Sequence, residues 1–532
     1  MFQFLRKYSK GIFKKSVFEH NSIDSGVMSR FLGMQVSPND FNLDEDRTKD
    51  LAPGVVWRRR RFRFMVAAPE NAEQPERPEA LCINEVWLDS QAAAELRPAL
   101  AAEFPHLLEL PEIENAYWAT TFAKGALRAA SASNEKETRL YLNMGRLCFQ
   151  MDAAEQRKAL QDLLALEQRN AQDEVLIKRL EKLDPQIAPQ PAGGFGVVRF
   201  LPAFPASRLV QSAGNILAAT NAGFFLNFPE EYDDRVSSLH QPVGGHMVAG
   251  RLLAPPWIAR PGFVGLKDGR TIPGLYGPQD IVLHMEGLWD VPLRTGRFDG
   301  DNPQGQVWRF FDAEEIPAPP DAAALLFTGS VLISIEPARK DLRPPVGGAL
   351  VLLTGEHARA ALAPNGYKAI SLALKPVDGI AVDWMVSAGP FLVRDSRAVT
   401  PEEMLEEKHA GEFRPLGPAP TRFPFDTSKT RAPRTAIGET SAGGLKIVVV
   451  DGRRSGEHSC GLTLEGLAQL MQWVGCETAI NLDGGGSSVM AIEGATAEDR
   501  LRENSAYGVV NIPSDDGERE RIVPIFLIIK GK

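Results

Sequence analysis

The sequence predicts an α+β protein: a C-terminal mixed-sheet domain, preceded by a separate N-terminal α/β region with a long helix or helical hairpin. Three observations carry this reading. After Gly194, short apolar and β-branched runs alternate with Gly/Pro turns: FGVVRF, NILAAT, ALVLLTG, AISLAL, WMVSAGPFLV, LKIVVV, TAINL and IVPIFLII. Over residues 152–183, Leu160, Leu163, Leu164, Leu166, Val175, Leu176, Leu180 and Leu183 recur at helical spacing, with a bend at Arg169–Asp173. DPQIAPQPAGG (Asp184–Gly194) then ends that periodicity with three prolines and two glycines. The domains are therefore expected at residues 1–190 and 194–532.

The 532 residues are 44% hydrophobic and 24% charged, which supports a real core and argues against wholesale disorder. A balance of 59 basic against 68 acidic residues, net −9, argues against a global nucleic-acid binder. Charge is segregated: residues 1–63 hold 13 Lys/Arg and 7 Asp/Glu, and residues 64–120 hold 2 and 11. WRRRRFRF (Trp57–Phe64) closes the basic part. It reads first as a strand facing the acidic neighbour segment; a phosphate or nucleic-acid contact through Arg58–Arg63 is the lesser reading. Residues 69–80, PENAEQPERPEA, read as a linker or long loop.

Cys82, Cys148, Cys460 and Cys476 form no CxxC pair, so they read as reduced structural thiols. The sequence has no apolar run of roughly 18 residues, the length of a membrane span. The N-terminus lacks the apolar stretch of a secretory signal. A cytoplasmic protein is expected. Phe2, Leu5, Ile12, Phe13 and Phe18, interleaved with Arg6, Lys7, Lys10, Lys14 and Lys15, make residues 2–18 the segment suited to peripheral membrane contact.

The chemistry concentrates in Gly444–Met490. LKIVVV reads as a buried strand ending at Asp451-Gly452-Arg453. Thr463 is the N-cap of a helix with Leu464, Leu467, Ala468, Met471 and Val474 on its apolar face, stopped by Gly475. TAINL reads as a second strand ending at Asp483-Gly484-Gly485-Gly486-Ser487-Ser488. Strand, helix, strand at this length is a crossover between parallel strands. It sets Asp451 and Asp483 at one sheet edge with Arg453. Such parts suit acid/base chemistry beside an anion anchor. Amides of Gly484, Gly485 and Gly486 suit an anion nest, with Ser487 and Ser488 as donors.

Three further turns read as site edges. Asn221-Ala222-Gly223-Phe224-Phe225 and Ser387-Ala388-Gly389-Pro390 are the first two. Arg434-Thr435-Ala436-Ile437-Gly438 is the third, and the planar fork of Arg434 suits phosphate. His240 and His246 are six apart, a weak ligand signal that reads first as loop histidines. No cofactor is expected; Asp451 and Asp483 are the oxygen ligands available to a Ca²⁺ or Mg²⁺ ion.

NLDGGGSS, VVVDGR, GLTLEGLAQLM, PRTAIG, SAGP, NAGFF, PVGGALVLLTGEHARAAL and the tail NIPSDDGERERIVP together resemble the phosphodiester glycosidases, in order from about Gly194 to Ile529. Two departures stand out: Ala222 and Ala388 replace glycines usual in that family, which would narrow a pocket. The resemblance implies hydrolysis of a sugar-1-phosphodiester at the glycosidic C–O bond, with a small-molecule or glycan phosphodiester as substrate. It makes Asp483 the first choice for the catalytic carboxylate, and Asp451 the second. Arg434, Arg453 and the Gly484–Gly486 amides would stabilise the phosphate leaving group, aided by Thr435, Gly223 and Gly389. Asn221 and Ser387 would bind sugar hydroxyls or phosphate. Glu520 and Arg521 read as an ion pair in the tail. Two other readings are a metal-dependent phosphodiesterase acting on a nucleotide or nucleic acid, and a non-catalytic sugar-phosphate-binding module.

Overall fold

The computed structural model describes residues 23–66, 77–104, 199–200, 203–212, 214–226, 238–285, 290–295, 305–308, 319–342, 344, 347–364, 370–404, 430–502, 505–515 and 520–531. The N-terminal segment 2–18, the helix 152–183, the boundary 184–194 and most of the 69–80 linker lie outside the described residues.

The strands that position the site are, in chain order, β1 (Asn42–Ala52), β2 (Val55–Val66), β3 (Arg77–Leu88), β4 (Leu96–Leu100), β5 (Ile216–Asn221), β6 (His246–Val248), β7 (Arg260–Leu266), β8 (Val382–Ser387), β9 (Phe391–Arg394), β10 (Arg434–Thr440), β11 (Leu445–Val450), β12 (Cys476–Asn481), β13 (Met490–Ile492) and β14 (Ile525–Lys530). An eight-stranded antiparallel sheet runs β1-β2-β3-β11-β10-β12-β9 and ends at Arg397–Ala398. A four-stranded sheet, β13-β5-β14-β4, holds the NAGFF turn. β7, β8 and β6 lie side by side in a five-stranded sheet. A seven-stranded sheet is built from strands between Ile281 and Leu374.

The described fold is mostly sheet with few helices, and the long helix or hairpin expected in the N-terminal region lies outside the described residues. The separation at residue 190 gives way for residues 42–100. β3 pairs with β11, Ile83 opposite Val450, and β4 pairs with β14. Both β3 and β11 are apolar through most of their length, so each buries its faces only as an interior strand.

The crossover between LKIVVV and TAINL forms with one difference. β11 and β12 run parallel, but β10 lies between them, antiparallel to both. The connecting helix spans Leu464–Trp473, and Thr463 Oγ1 accepts the Gly466 N–H at 3.0 Å. Gly475, at φ +85°, stops it in the left-handed region that glycine adopts without strain. This helix packs on the Ser25–Leu32 helix, with Phe31 edge-on to Trp473 at 6.0 Å. A Cβ on Gly466 would lie 1.9 Å from the Phe31 carbonyl oxygen, so only glycine lets the two helices approach this closely. The main core is formed between them and the large sheet by residues such as Leu467, Met471, Ile447 and Ile480.

Four of the five arginines of β2 pair with carboxylates of the sheet. Arg58 pairs with Asp46 at 2.5 Å, Arg63 with Asp44 at 2.6 Å, and Arg59 and Arg60 with Glu45 and Glu85. Three of these carboxylates come from β1 and one, Glu85, from β3 within the acidic 64–120 segment. Antiparallel register, not charge segregation along the chain, selects them. Among the described residues no helix is long and apolar enough to cross a membrane.

Candidate active site

The antiparallel insertion of β10 brings three chain ends to one sheet edge. Arg434 lies opposite Val450, the last residue of β11, and Ala436 lies opposite Asn481, the last residue of β12. Asp451, Arg434 and Asp483 therefore emerge at this one edge. Their surroundings differ, and this separates their roles.

Asp483 is half-buried. Its N–H donates to the Ala222 carbonyl at 3.0 Å, and its Oδ1 accepts the Gly484 N–H at 2.9 Å. Burial pushes its carboxyl up to about 6; hydrogen bonding from Ser487, the Arg521 charge and the Gly484 amide only partly counter this, and Asp515 adds to it. A carboxyl titrating there exchanges protons readily near neutrality. Asn221 Nδ2 donates to the Asp483 carbonyl at 2.6 Å, and Asn221 Oδ1 accepts from Thr435 Oγ1 at 2.9 Å. Thr435 Oγ1 in turn reaches Ser488 Oγ at 3.2 Å. Asn221, Thr435 and Ser488 are buried, and they lock the Asp483 turn to β5 and β10.

Asp451 is buried and fully engaged. Asn511 Nδ2 donates to its Oδ1 at 3.0 Å, the Ile512 N–H to its Oδ2 at 3.0 Å, and His458 Nε2 lies 2.6 Å from Oδ2. The same Asn511 nitrogen reaches the Ser488 carbonyl at 3.2 Å, linking the two strand ends. The metal-capable group among the described residues joins Asp451 to Cys82 and His458, not to Asp483.

Arg434 is also buried. Its Nε donates to the Leu462 carbonyl at 2.9 Å and its Nη2 to the Thr430 carbonyl at 2.9 Å. Burial, with the nearby Arg453 charge, lowers its pKa to about 10, which leaves it cationic at neutral pH. Much of the fork assigned to phosphate is thus spent on backbone. Arg453 is the exposed guanidinium. It sits at φ +62°, donates to Ser514 Oγ at 3.2 Å, and lines an open cleft of about 560 Å³ with Thr430, Arg431, Ser455, Cys460 and Thr463. A Cβ on Gly485 would lie 3.0 Å from Arg453 Nη2, so the glycine turn and Arg453 are neighbours.

The glycine turn is not the open nest that three bare glycines predict. The Gly484 N–H goes to Asp483, the Gly485 N–H to the Pro433 carbonyl at 2.9 Å, and Gly485–Ser487 closes a 3₁₀ turn. The glycines serve close packing. A Cβ on Gly486 would fall 1.8 Å from Asp515 Oδ1 and 2.3 Å from Arg521 Nη2. Arg521 grips Asp515 through two bonds, 2.8 and 2.9 Å, and reaches Ser487 Oγ at 3.3 Å. The tail pair is therefore Arg521–Asp515, while Glu520 accepts the Ser207 N–H at 3.0 Å.

Ser387 and Gly389 are bonded within the fold. Ser387 Oγ accepts the Gly245 N–H at 2.5 Å. Gly389 exchanges two bonds with Asn481, 2.8 Å to the Asn481 carbonyl and 3.1 Å from its side chain. Ala222 and Ala388 place their methyls in the main core, so they do not narrow the cleft. Gly223 is needed for a different reason. A Cβ there would lie 2.4 Å from Nε2 of buried His246. Nδ1 of that ring donates to the Gly244 carbonyl at 3.2 Å, and burial lowers the ring's pKa to about 4. His240 packs edge-on against Phe225, and neither histidine joins the metal-capable group. His458 falls in none of the sequence motifs; Asn511 and Asp515 lie in the tail motif and His246 in a weak histidine pair, but only the fold sets them beside the site.

A buried polar lattice thus presents one half-buried carboxyl, Asp483, and one exposed guanidinium, Arg453, at a sheet edge. Residues 336–530 match the model of the phosphodiester glycosidase family, so the resemblance read from the motifs stands over that part of the chain. The SPbeta prophage-derived uncharacterized protein YomE of Bacillus subtilis (strain 168) is 48% identical over 62 residues, 12% of this chain. That match spans only 9% of the Bacillus protein's length. Among solved structures, a putative exported protein from Burkholderia pseudomallei K96243 is similar at 16% identity and TM-score 0.47, covering 94% of this chain and 98% of its own. A hypothetical protein from Synechocystis gives 14% and 0.40, covering 92% of this chain and 64% of its own. The catalytic domain of zebrafish N-acetylglucosamine-1-phosphodiester alpha-N-acetylglucosaminidase gives 13% and 0.35, covering 93% and 90%. At these TM-scores the three remain likenesses only.

Proposed function

We propose that the chain is a hydrolase that cleaves the glycosidic C–O bond of a sugar-1-phosphodiester, consuming water and releasing the free sugar and a phosphate monoester. The observation that carries this reading is Asp483. It is the candidate carboxyl that is only half-buried and is raised to about 6. It ends the family-matched strand beside the glycine turn and Arg453. Asp483 activates water or attacks the anomeric carbon. Arg453, exposed in the cleft, takes the phosphate, whose departure needs charge stabilisation more than a proton. Arg434 adds positive potential from beneath and holds the Thr430 and Leu462 main chain in place.

The test is a screen of sugar-1-phosphodiesters and nucleotide sugars in ¹⁸O-labelled water, with products identified by mass. Label in the sugar supports the reading. Label in the phosphate assigns P–O cleavage instead, and binding without turnover assigns a sugar-phosphate-binding module.

A further inference from the structure

On the Asp451 side of this sheet edge, three metal-ligating side chains from different segments converge. Cys82 comes from β3, Asp451 follows β11, and His458 lies in the turn beyond it. One ligand atom of each lies within 4.8 Å of the others, and all three residues are buried. Main-chain bonds fix the segments. The Asp451 N–H donates to the Cys82 carbonyl at 3.1 Å. Ser459 Oγ accepts the Cys82 N–H at 3.2 Å and donates to the Asp451 carbonyl at 2.6 Å.

The carboxylate is aimed from outside the group, by Asn511 on Oδ1 and the Ile512 N–H on Oδ2. Metal-bound carboxylates are oriented by neighbouring donors in this way. The Cys82 sulfur has a weak contact from Asn84 Nδ2 at 3.9 Å, which leaves a soft donor facing an imidazole and a carboxylate.

We propose that Cys82, Asp451 and His458 bind a divalent cation of the zinc class. The donor set decides the class. Sulfur and nitrogen ligands suit zinc-like ions, whereas Ca²⁺ and Mg²⁺ take oxygen. Charge agrees: thiolate and carboxylate together carry two negative charges, a neutral imidazole none, and a divalent cation makes the buried set neutral. Ligand atoms around a tetrahedral zinc sit about 3.5 Å apart, which small side-chain rotations reach from the observed spacing. On binding, the thiol releases one proton to solvent and the imidazole carries its N–H on Nδ1. Its Nε2 lone pair and Asp451 Oδ2 then give two coordinate bonds in place of their mutual hydrogen bond. The ion ties β3, β11 and the 453–460 turn together, and that turn carries Arg453. The inference does not depend on the glycosidase reading.

The test uses the full chain, freed of any histidine tag, exposed to Zn²⁺ and dialysed against metal-free buffer. Elemental analysis should count about one zinc per chain, with Cys82→Ser and His458→Ala each losing it. Circular dichroism checks that the variants fold. Cobalt loading of the parent should give the tetrahedral visible bands and a thiolate-to-cobalt charge-transfer band. That band decides the matter even if both variants unfold. A parent that retains no metal, or a cobalt spectrum without the thiolate band, overturns the proposal.

Discussion

Asn221 donates from its side-chain amide to the Asp483 carbonyl at 2.6 Å, across 262 positions of sequence. The same side chain accepts from Thr435 at 2.9 Å and from the Val489 N–H at 3.3 Å. Asn221→Ala leaves these buried groups without their partner. A loss of about 1–3 kcal/mol is expected, read as a lower urea midpoint, together with reduced turnover. An unchanged midpoint would mean that the lattice reseals without Asn221.

Asp483→Asn should lower kcat by about a hundredfold or more, the usual scale of acid/base assistance. Near-parental activity would remove Asp483 from the chemistry. The variant also has a stability signature. The native carboxyl titrates at about 6, against an ordinary value of 3.8. The folded state therefore holds the proton more tightly, and this contribution, full below about pH 4, is lost as pH rises through 6. The melting temperature of the Asn variant should gain on the parent between pH 4 and pH 7.

Gly486→Ala drives a methyl into the Arg521–Asp515 pair. Overpacking of this kind costs about 1–3 kcal/mol, so a lower melting temperature is expected. Gly486 lies outside the left-handed region, so the loss reads the close approach alone. An unchanged melting temperature would show that the approach is relieved at no cost.

Arg453→Ala should reduce kcat/KM for a phosphate-bearing substrate by about tenfold to a hundredfold, the scale of one charged hydrogen bond. A neutral glycoside should be affected much less. Arg434→Lys should weaken both substrate types alike, since its Nε and Nη2 hold main-chain carbonyls. A phosphate-selective loss at Arg434 would reverse the two assignments.

Glu439 gives a second pH test. Burial, and then the Glu477 charge, raise its carboxyl to about 7 from an ordinary 4.5. Its contribution to stability is present at low pH and is lost as pH rises through 7. Glu439→Gln should flatten the fall in melting temperature between pH 5 and pH 8. A parallel fall in both proteins would assign that slope to other groups.

Local patterning determined much of this protein. β-branched runs mark β11, β12 and β14, Thr463 and Gly475 bound their helix, and Asp483 is placed at a strand end, because each depends on periodicity and caps within a few residues. What only the tertiary structure decided is the fate of the polar side chains. Asn221, Ser387, Thr435 and Ser488 read as substrate contacts, yet all are buried and bonded to one another or to main chain. Arg521 chose Asp515, and β10 entered between β11 and β12. A motif names which polar groups are present. Long-range strand register decides which of them find protein partners and which are left for a ligand.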